Sequence, residues 1–144
     1  MARAAAAGAS SEIAVTLLHA EDAGPDDLLA ADGYLFACPE NLASMAGTMK
    51  DFFDRSYYPV LGRIDGRPFG TMICAGSDGE GAARQIARIA TGWRLKPVAE
   101  PLIVCTHAQT AEAILAPKTI APADLTRWLY LRTSLGAGLA LGIF

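Results

Sequence analysis

The sequence predicts an α/β protein built on a parallel, doubly wound sheet. Three observations carry that prediction. Apolar runs of strand length alternate with stretches of helical periodicity along the chain. Two of the runs, Tyr34–Cys38 and Pro68–Ala75, read as buried strands. Each of these two is followed by a loop and then a helix, the arrangement at which open α/β sheets bind ligands.

Taken in order, Ala2–Ala7 read as the back half of a helix that Gly8 ends. Ile13–Leu18 is rich in β-branched and aliphatic residues and is expected to be a strand, with His19 just after it. Asp26–Ala30 is a short helical turn ahead of the Tyr34–Cys38 strand, which Pro39 is expected to stop. Glu40–Ala43 then form a loop, and Ser44 is placed as an N-cap. Leu42, Met45, Met49, Phe52 and Phe53 recur at helical spacing. Lys50 with Asp54 and Asp51 with Arg55 are i,i+4 pairs that support this helix. Pro59 is expected to forbid its continuation.

Asp65-Gly66 marks a turn before the strand Pro68–Ala75, and Gly70 inside that strand implies a close neighbour or a bend. The loop Gly76–Gly81 feeds a helix whose inner face is Ala82, Ile86, Ile89, Ala90 and Trp93, with Arg84 and Arg88 opposite. Leu102–Thr106 is the last buried strand, followed by His107. Thr110–Leu115 is one helical turn. Pro122 starts a final amphipathic helix marked by Leu125, Trp128, Leu129, Leu135 and Leu139. There is no repeat, low-complexity tract or linker, so the 144 residues read as a single domain, 1–144.

Composition excludes several functions. A hydrophobic content of 52% argues against general disorder, and a net charge of −3 argues against nucleic acid as the main partner. The apolar tail LGAGLALGIF is too short to cross a membrane. Cys38, Cys74 and Cys105 are odd in number and lack a metal-like spacing, and the two histidines are far apart, so no metal site is expected. Reduced, buried thiols fit a cytoplasmic protein.

The two loops invite a ligand. Gly76–Gly81 spaces its glycines G-x-x-G-x-G, which is not a dinucleotide fingerprint, and it has no P-loop lysine. Asp78 and Glu80, with Glu40 in the first loop, would repel a phosphate. A large, flat, hydrogen-bonding ring suits such loops, whose glycines and free N–H groups admit close approach. Ordinary capped βα connections fit the spacing equally well.

The run ADGYLFACPENLASMAGTMKDFFDRSYYP resembles the flavodoxin-like NAD(P)H-dependent oxidoreductases, the NADPH-dependent FMN reductase and quinone reductase group. The matching features are Pro39, the Glu40–Met45 loop, Ala46-Gly47, Lys50, Phe52, Phe53, Asp54 and Arg55. GSDGEGAARQI is similar to that family's second flavin loop and the following helix, and LGAGLALGIF to its C-terminal helix. The resemblance implies a flavodoxin-like, three-layer fold with FMN held by its ring at the two loops. Backbone atoms of Pro39, Glu40, Asn41, Leu42, Gly76, Ser77 and Gly79 would be ring contacts, and Ala43, Met45, Asp78 and Gly81 complete the implied cofactor site. The flavin would perform the hydride chemistry, so no side-chain nucleophile is implied. NAD(P)H as donor, a quinone, flavin or similar small molecule as acceptor, and a homodimer or homotetramer are implied in the same way. An electron-carrying flavodoxin and a flavin-free domain acting through protein–protein contact are the alternatives.

The resemblance also implies a central strand and a phosphate-wrapping loop ahead of the Ala2–Gly8 helix, a stretch on the order of 10–15 residues. No such stretch precedes Ala2 here. A natural start upstream of Met1, a strand supplied by another chain, or a domain that has lost tight FMN binding would each account for this; the first is expected. Among single residues, His107 and Tyr57 are candidates for substrate contact, with a solvent-facing loop and packing at a subunit boundary as the respective alternatives. Tyr58 is read as Tyr57 is. His19 is read as structural, Arg55 as either a dinucleotide phosphate ligand or a partner of Asp51, and Trp93 and Trp128 as core.

Overall fold

A computed structural model describes residues 14–144. The expected Ala2–Gly8 helix and Ile13 lie outside the described residues. The elements in order are α1 (Pro25–Ala30), β1 (Tyr34–Asn41), β2 (Ser44–Met45), α2 (Gly47–Val60) and β3 (Pro68–Ala75), then α3 (Glu80–Gly92), β4 (Lys96–Pro97), β5 (Leu102–Cys105), α4 (Ala111–Leu115) and α5 (Pro122–Ala140).

The sheet is parallel through its centre. β1 runs beside β3 with Tyr34 opposite Phe69 and Pro39 opposite Cys74. The other edge of β3 is shared: β4 pairs with its first residues and β5 with its last four. β2 folds back antiparallel on the end of β1. Side chains of β1 alternate between two layers, as the two-residue period of a strand requires. Tyr34, Phe36 and Cys38 join the larger core with Phe53 and Trp93. Leu35 and Ala37 pack with Met72, Trp128 and Leu131 on the other face. Helices α2 and α3 therefore cover one side and α5 the other, which is the three-layer arrangement expected.

Aromatic packing locks the first layer. Phe36 meets Phe53 edge-on at 5.2 Å, and Phe53 lies 5.4 Å from Trp93. The Trp93 indole N–H is buried and donates to the Tyr57 carbonyl at 3.1 Å, so burial does not strand that nitrogen. On the second layer Gly70 is the close-approach glycine its position implied. A Cβ there would come within 2.9 Å of the Leu35 side chain and 3.2 Å of Leu131 on α5.

Four expectations are corrected. Pro39 does not stop β1, which runs on to Asn41. Tyr34–Pro39 is paired on only one side among the described residues, and a strand edge tolerates a residue without an N–H. Ser44 is not an N-cap. It lies in β2, and α2 begins at Gly47 after Ala46, which leaves Leu42 off the helix. Pro59 sits inside the last turn of α2, where the helix ends one residue later and a missing N–H costs a single bond. Finally, Ala14–Leu18 form no ladder with any described residue, and Val15, Leu17 and Leu18 are exposed. β-branched composition suits a strand, but a strand needs a neighbour, and none of the described residues pairs with these. The short β4 went unread because Lys96-Pro97 carries no strand signal.

Candidate functional site

β1, β3 and β5 all end at one rim, and α2 and α3 both start there. The first turn of the rim is a hairpin. Asn41 faces Ser44 across two residues, Leu42 and Ala43, whose φ angles are 52° and 60°. Two successive positive φ values define a type I′ turn, which normally takes Asn-Gly. A Leu-Ala pair here holds strained backbone, and such strain concentrates at working surfaces. The turn presents Leu42 fully to solvent.

The second turn is Gly76–Gly79. Gly79 has a φ of 92° and leads directly into α3. Gly76, Ser77 and Asp78 are exposed. The backbone N–H groups of Ser77 and Asp78 meet no acceptor among the described residues. The third strand end adds His107, whose N–H donates to the Gly76 carbonyl at 2.7 Å. The Thr106 hydroxyl and N–H both reach the Ala75 carbonyl, so β5 fixes the base of the glycine loop.

Glu40 joins the two turns. One carboxylate oxygen accepts from the Gly79 N–H at 2.9 Å and the other from the Ala82 N–H at 3.0 Å. These are donors at the N-terminal end of α3, which a negative charge suits. Glu40 thus caps a helix across the sheet, and it adds no free anion to the rim. Gln85 makes a second tie. Its side-chain oxygen accepts from the Met45 N–H at 3.0 Å and from the Ser44 hydroxyl at 2.9 Å. Gly81 makes a third, because its Cα faces the Ala43 carbonyl at a distance that leaves no room for a side chain. Beneath them the Cys38 thiol accepts from the Ala46 N–H at 3.2 Å, and burial pushes that thiol up from its ordinary pKa.

The structure therefore brings Pro39, Glu40, Asn41, Leu42, Ala43, Gly76, Ser77, Asp78, Gly79 and His107 to one rim. Met45 is buried below it, and Gly81 is covered by the hairpin. Tyr57 stands apart. It lies ten residues along α2 from Gly47, about 15 Å down the helix. There it stacks on Trp93 at 5.8 Å, beside Gly92. Its neighbour Tyr58 is largely exposed. Arg55 is occupied by Asp51 and by the carbonyls of Ala20 and Ala23, which accounts for it structurally. Gln85 was not singled out in the sequence; nothing in an uncharged polar residue on a helix marks a tie to a hairpin. Among the described residues there is no His/Cys/Asp/Glu group able to hold a metal, and no helix long and apolar enough to cross a membrane.

Over residues 3–110 the sequence matches the family described as NADPH-dependent FMN reductase. The chain belongs to this family. Among curated proteins it is similar to a flavodoxin of Aquifex aeolicus (strain VF5), 35% identical over 75 residues, which are 51% of this chain and 38% of the relative. The match thus spans well under two thirds of that relative's length. The fold is flavodoxin-like. A flavodoxin from the domain Archaea superposes with a TM-score of 0.76 at 17% identity, covering 95% of this chain and 86% of its own. A WrbA-like flavodoxin of Agrobacterium tumefaciens gives 0.62 at 18% identity, over 81% and 71%. An NADPH-quinone reductase of P. pentosaceus gives 0.55 at 17% identity, over 83% and 77%. In this family member the two turns read from the sequence share one rim of that fold.

Proposed function

We propose that the rim holds the ring of FMN between the Leu42-Ala43 hairpin and the Gly76–Asp78 loop, and that the protein passes electrons from NAD(P)H to a quinone, a flavin or a similar small acceptor. The observation that carries this reading is the Glu40 bridge. It fixes the spacing of the two turns, while the N–H groups of Ser77 and Asp78 meet no acceptor among the described residues. A flat heterocycle edged with oxygen and nitrogen acceptors suits such donors. When bound, the flavin supplies the hydride and electron chemistry.

The chain's own residues do the positioning. Leu42 offers an apolar surface at the hairpin tip to cover a ring from water. Ser77 and Asp78 offer backbone donors to its polar edge. His107, held at the rim by its bond to Gly76, is the polar side chain placed to meet an incoming substrate. No lysine or arginine occurs in either turn, so the grip falls on the ring rather than on a phosphate. Family membership supports FMN and the nicotinamide donor, and a dimer or tetramer is proposed on the same basis.

The test is a titration of the chain with FMN and with riboflavin, read by quenching of flavin fluorescence. A ring-centred site binds both with affinities within a few-fold of each other. Absence of saturable quenching by either ligand overturns the reading. The similarity to a flavodoxin favours a second reading, a carrier with no turnover of its own. Steady oxidation of NAD(P)H by the flavin-loaded chain in the presence of a soluble quinone, with no protein partner, excludes the carrier.

A further inference from the structure

The chain between β5 and α5 holds two apolar side chains out in solvent. Every residue from Gln109 to Thr119 is exposed, and no residue of α4 is buried. On that helix Ile114 is 57% and Leu115 84% exposed. The segment nevertheless has a fixed shape, which it makes from its own groups. At one end the Thr110 hydroxyl accepts from the Ala113 N–H at 3.1 Å. At the other the Lys118 ammonium donates to the Ala113, Ile114 and Ala116 carbonyls at 2.6, 2.7 and 2.6 Å. Thr110–Lys118 is thus a knob tied by its own hydrogen bonds, and α4 lies beyond residues 3–110, where the family match runs.

Both roots of the knob are anchored. His107 donates to the Gly76 carbonyl, and the Ala108 carbonyl lies 3.8 Å from where a Cβ on Gly76 would stand, so the first root sits on the glycine loop of the rim. Ile120 holds the second root by packing against the core that contains Val104 and Trp128. Three extended residues and one helical turn keep Ile114 within roughly 15 Å of Ala108. β3 lies between β1 and β5, so the Leu42 hairpin and the knob flank the glycine loop on opposite sides. His107 holds a φ of 54°, a left-handed conformation that a hinge residue gains by leaving. A swing about this root moves the knob as one body and breaks no core contact, because none of α4 is buried. Single exposed apolar residues are ordinary on a protein surface. Two adjacent ones on such a body, within reach of a ligand rim, are placed to be covered when that rim is filled.

We propose that Ile114 and Leu115 are specificity residues: the knob closes on the glycine loop once the ring is bound and lays these two side chains on the electron acceptor, opposite Leu42. The acceptor this selects is an apolar, uncharged ring, such as a quinone without ionised substituents. A charged substituent would lose its water against two aliphatic chains and gain no counter-charge, since the Lys118 ammonium is already held by three carbonyls. The inference rests on the ring-binding reading proposed above.

The test uses the full chain and trypsin, for which Lys118 is an exposed site. Flavin quenching is measured first, and its absence would remove the ring-binding reading and this inference with it. Where FMN quenches, FMN plus an excess of plain naphthoquinone, without NAD(P)H, should slow cleavage after Lys118 roughly tenfold, read by mass spectrometry. Cleavage after the exposed Arg63, far along the chain, should keep its rate. A sulfonated naphthoquinone should protect Lys118 little. The double change Ile114→Ser with Leu115→Ser touches only exposed side chains, so the fold should not depend on it. It should abolish the protection and leave FMN quenching as it was. It should also raise KM for the plain quinone roughly tenfold, bringing it toward that of the sulfonated form. Normal quenching with unslowed cleavage at Lys118, or equal protection by the two quinones, would overturn the proposal. So would protection that needs no ligand and follows dimerisation on a sizing column, which would assign the knob to a contact between copies.

Discussion

The Ala43 carbonyl oxygen occupies the place where a side chain on Gly81 would begin. A Cβ on Gly81 would overlap that oxygen, which no packing tolerates. The missing side chain therefore lets the hairpin and the first turn of α3 sit against each other, where the hydrogen bonds of Glu40 and Gln85 hold them. Gly81→Ala should push the hairpin off the helix. The expected loss is about 1–3 kcal/mol, the usual cost of forcing one carbon into a closed space, read as a lower urea midpoint. Flavin quenching should weaken in the same variant, and an unchanged midpoint would show that the two turns are free to separate.

Glu40 makes the complementary tie, and its charge matters as well as its length. Glu40→Ala leaves the Gly79 and Ala82 N–H groups without their acceptor, at an expected cost of about 1–3 kcal/mol. Glu40→Gln keeps one acceptor and should lose roughly half as much, because its amide nitrogen cannot accept from the second N–H. Thermal unfolding of the three proteins should rank them natural, Gln, Ala. Equal melting temperatures would remove the bridge as the element that fixes the rim.

Strain in the hairpin gives a prediction of opposite sign. Leu42 and Ala43 both hold φ values that side chains disfavour. The double change Leu42→Asn with Ala43→Gly installs the pair that a type I′ turn prefers. The chain should become more stable by about 1–3 kcal/mol. Flavin affinity should fall at the same time if Leu42 covers the ring. Gain of stability with unchanged affinity would make the strain incidental.

The sheet and its helices were legible because their signals are local. Pro68–Ala75 reads as a strand from its apolar run, and the structure gives it the same limits. Thr110 reads as a helix start, and its hydroxyl accepts from the Ala113 N–H at 3.1 Å. The detail of the first turn was not legible, because a Leu-Ala type I′ turn breaks the rule by which such turns are recognised. The bridging role of Glu40 was hidden as well. Its partners lie 39 and 42 residues away, and no spacing announces a cap that crosses a sheet. Ala14–Leu18 were misread for the reverse reason: composition there is local, but pairing is not.

Alkaline pH should destabilise the chain through Cys38 and Tyr34. Burial raises both above their ordinary values; the Ala46 N–H opposes this at Cys38, and the Arg67 side chain opposes it at Tyr34. The folded chain then keeps protons that the unfolded chain releases. Stability is complete below the unfolded values and falls as pH rises from about 8.5 toward and through the raised folded values. Urea midpoints at pH 7, 9 and 10 should decline, and Cys38→Ser, which keeps an acceptor for Ala46, should flatten the first part of the decline. A midpoint that holds constant to pH 10 would contradict the burial of both groups.

Arg132 supplies the last prediction, and it concerns the free chain. The side chain is buried on α5, yet two of its nitrogens find no acceptor among the described residues. Its Nε and Nη1 have lost water and gained no partner among the described residues in return. Replacing it by an unbranched apolar side chain of similar length keeps the packing and removes that penalty. Arg132→Met should therefore stabilise the unliganded chain, by about 1–4 kcal/mol on the scale of buried charges exchanged for apolar groups. Arg132→Lys should not, since it keeps a buried charge on a shorter reach for hydrogen bonds. Urea unfolding of the three proteins decides the matter. If Met destabilises while Lys is neutral, the guanidinium already has a partner within the folded chain, and the charge is structural.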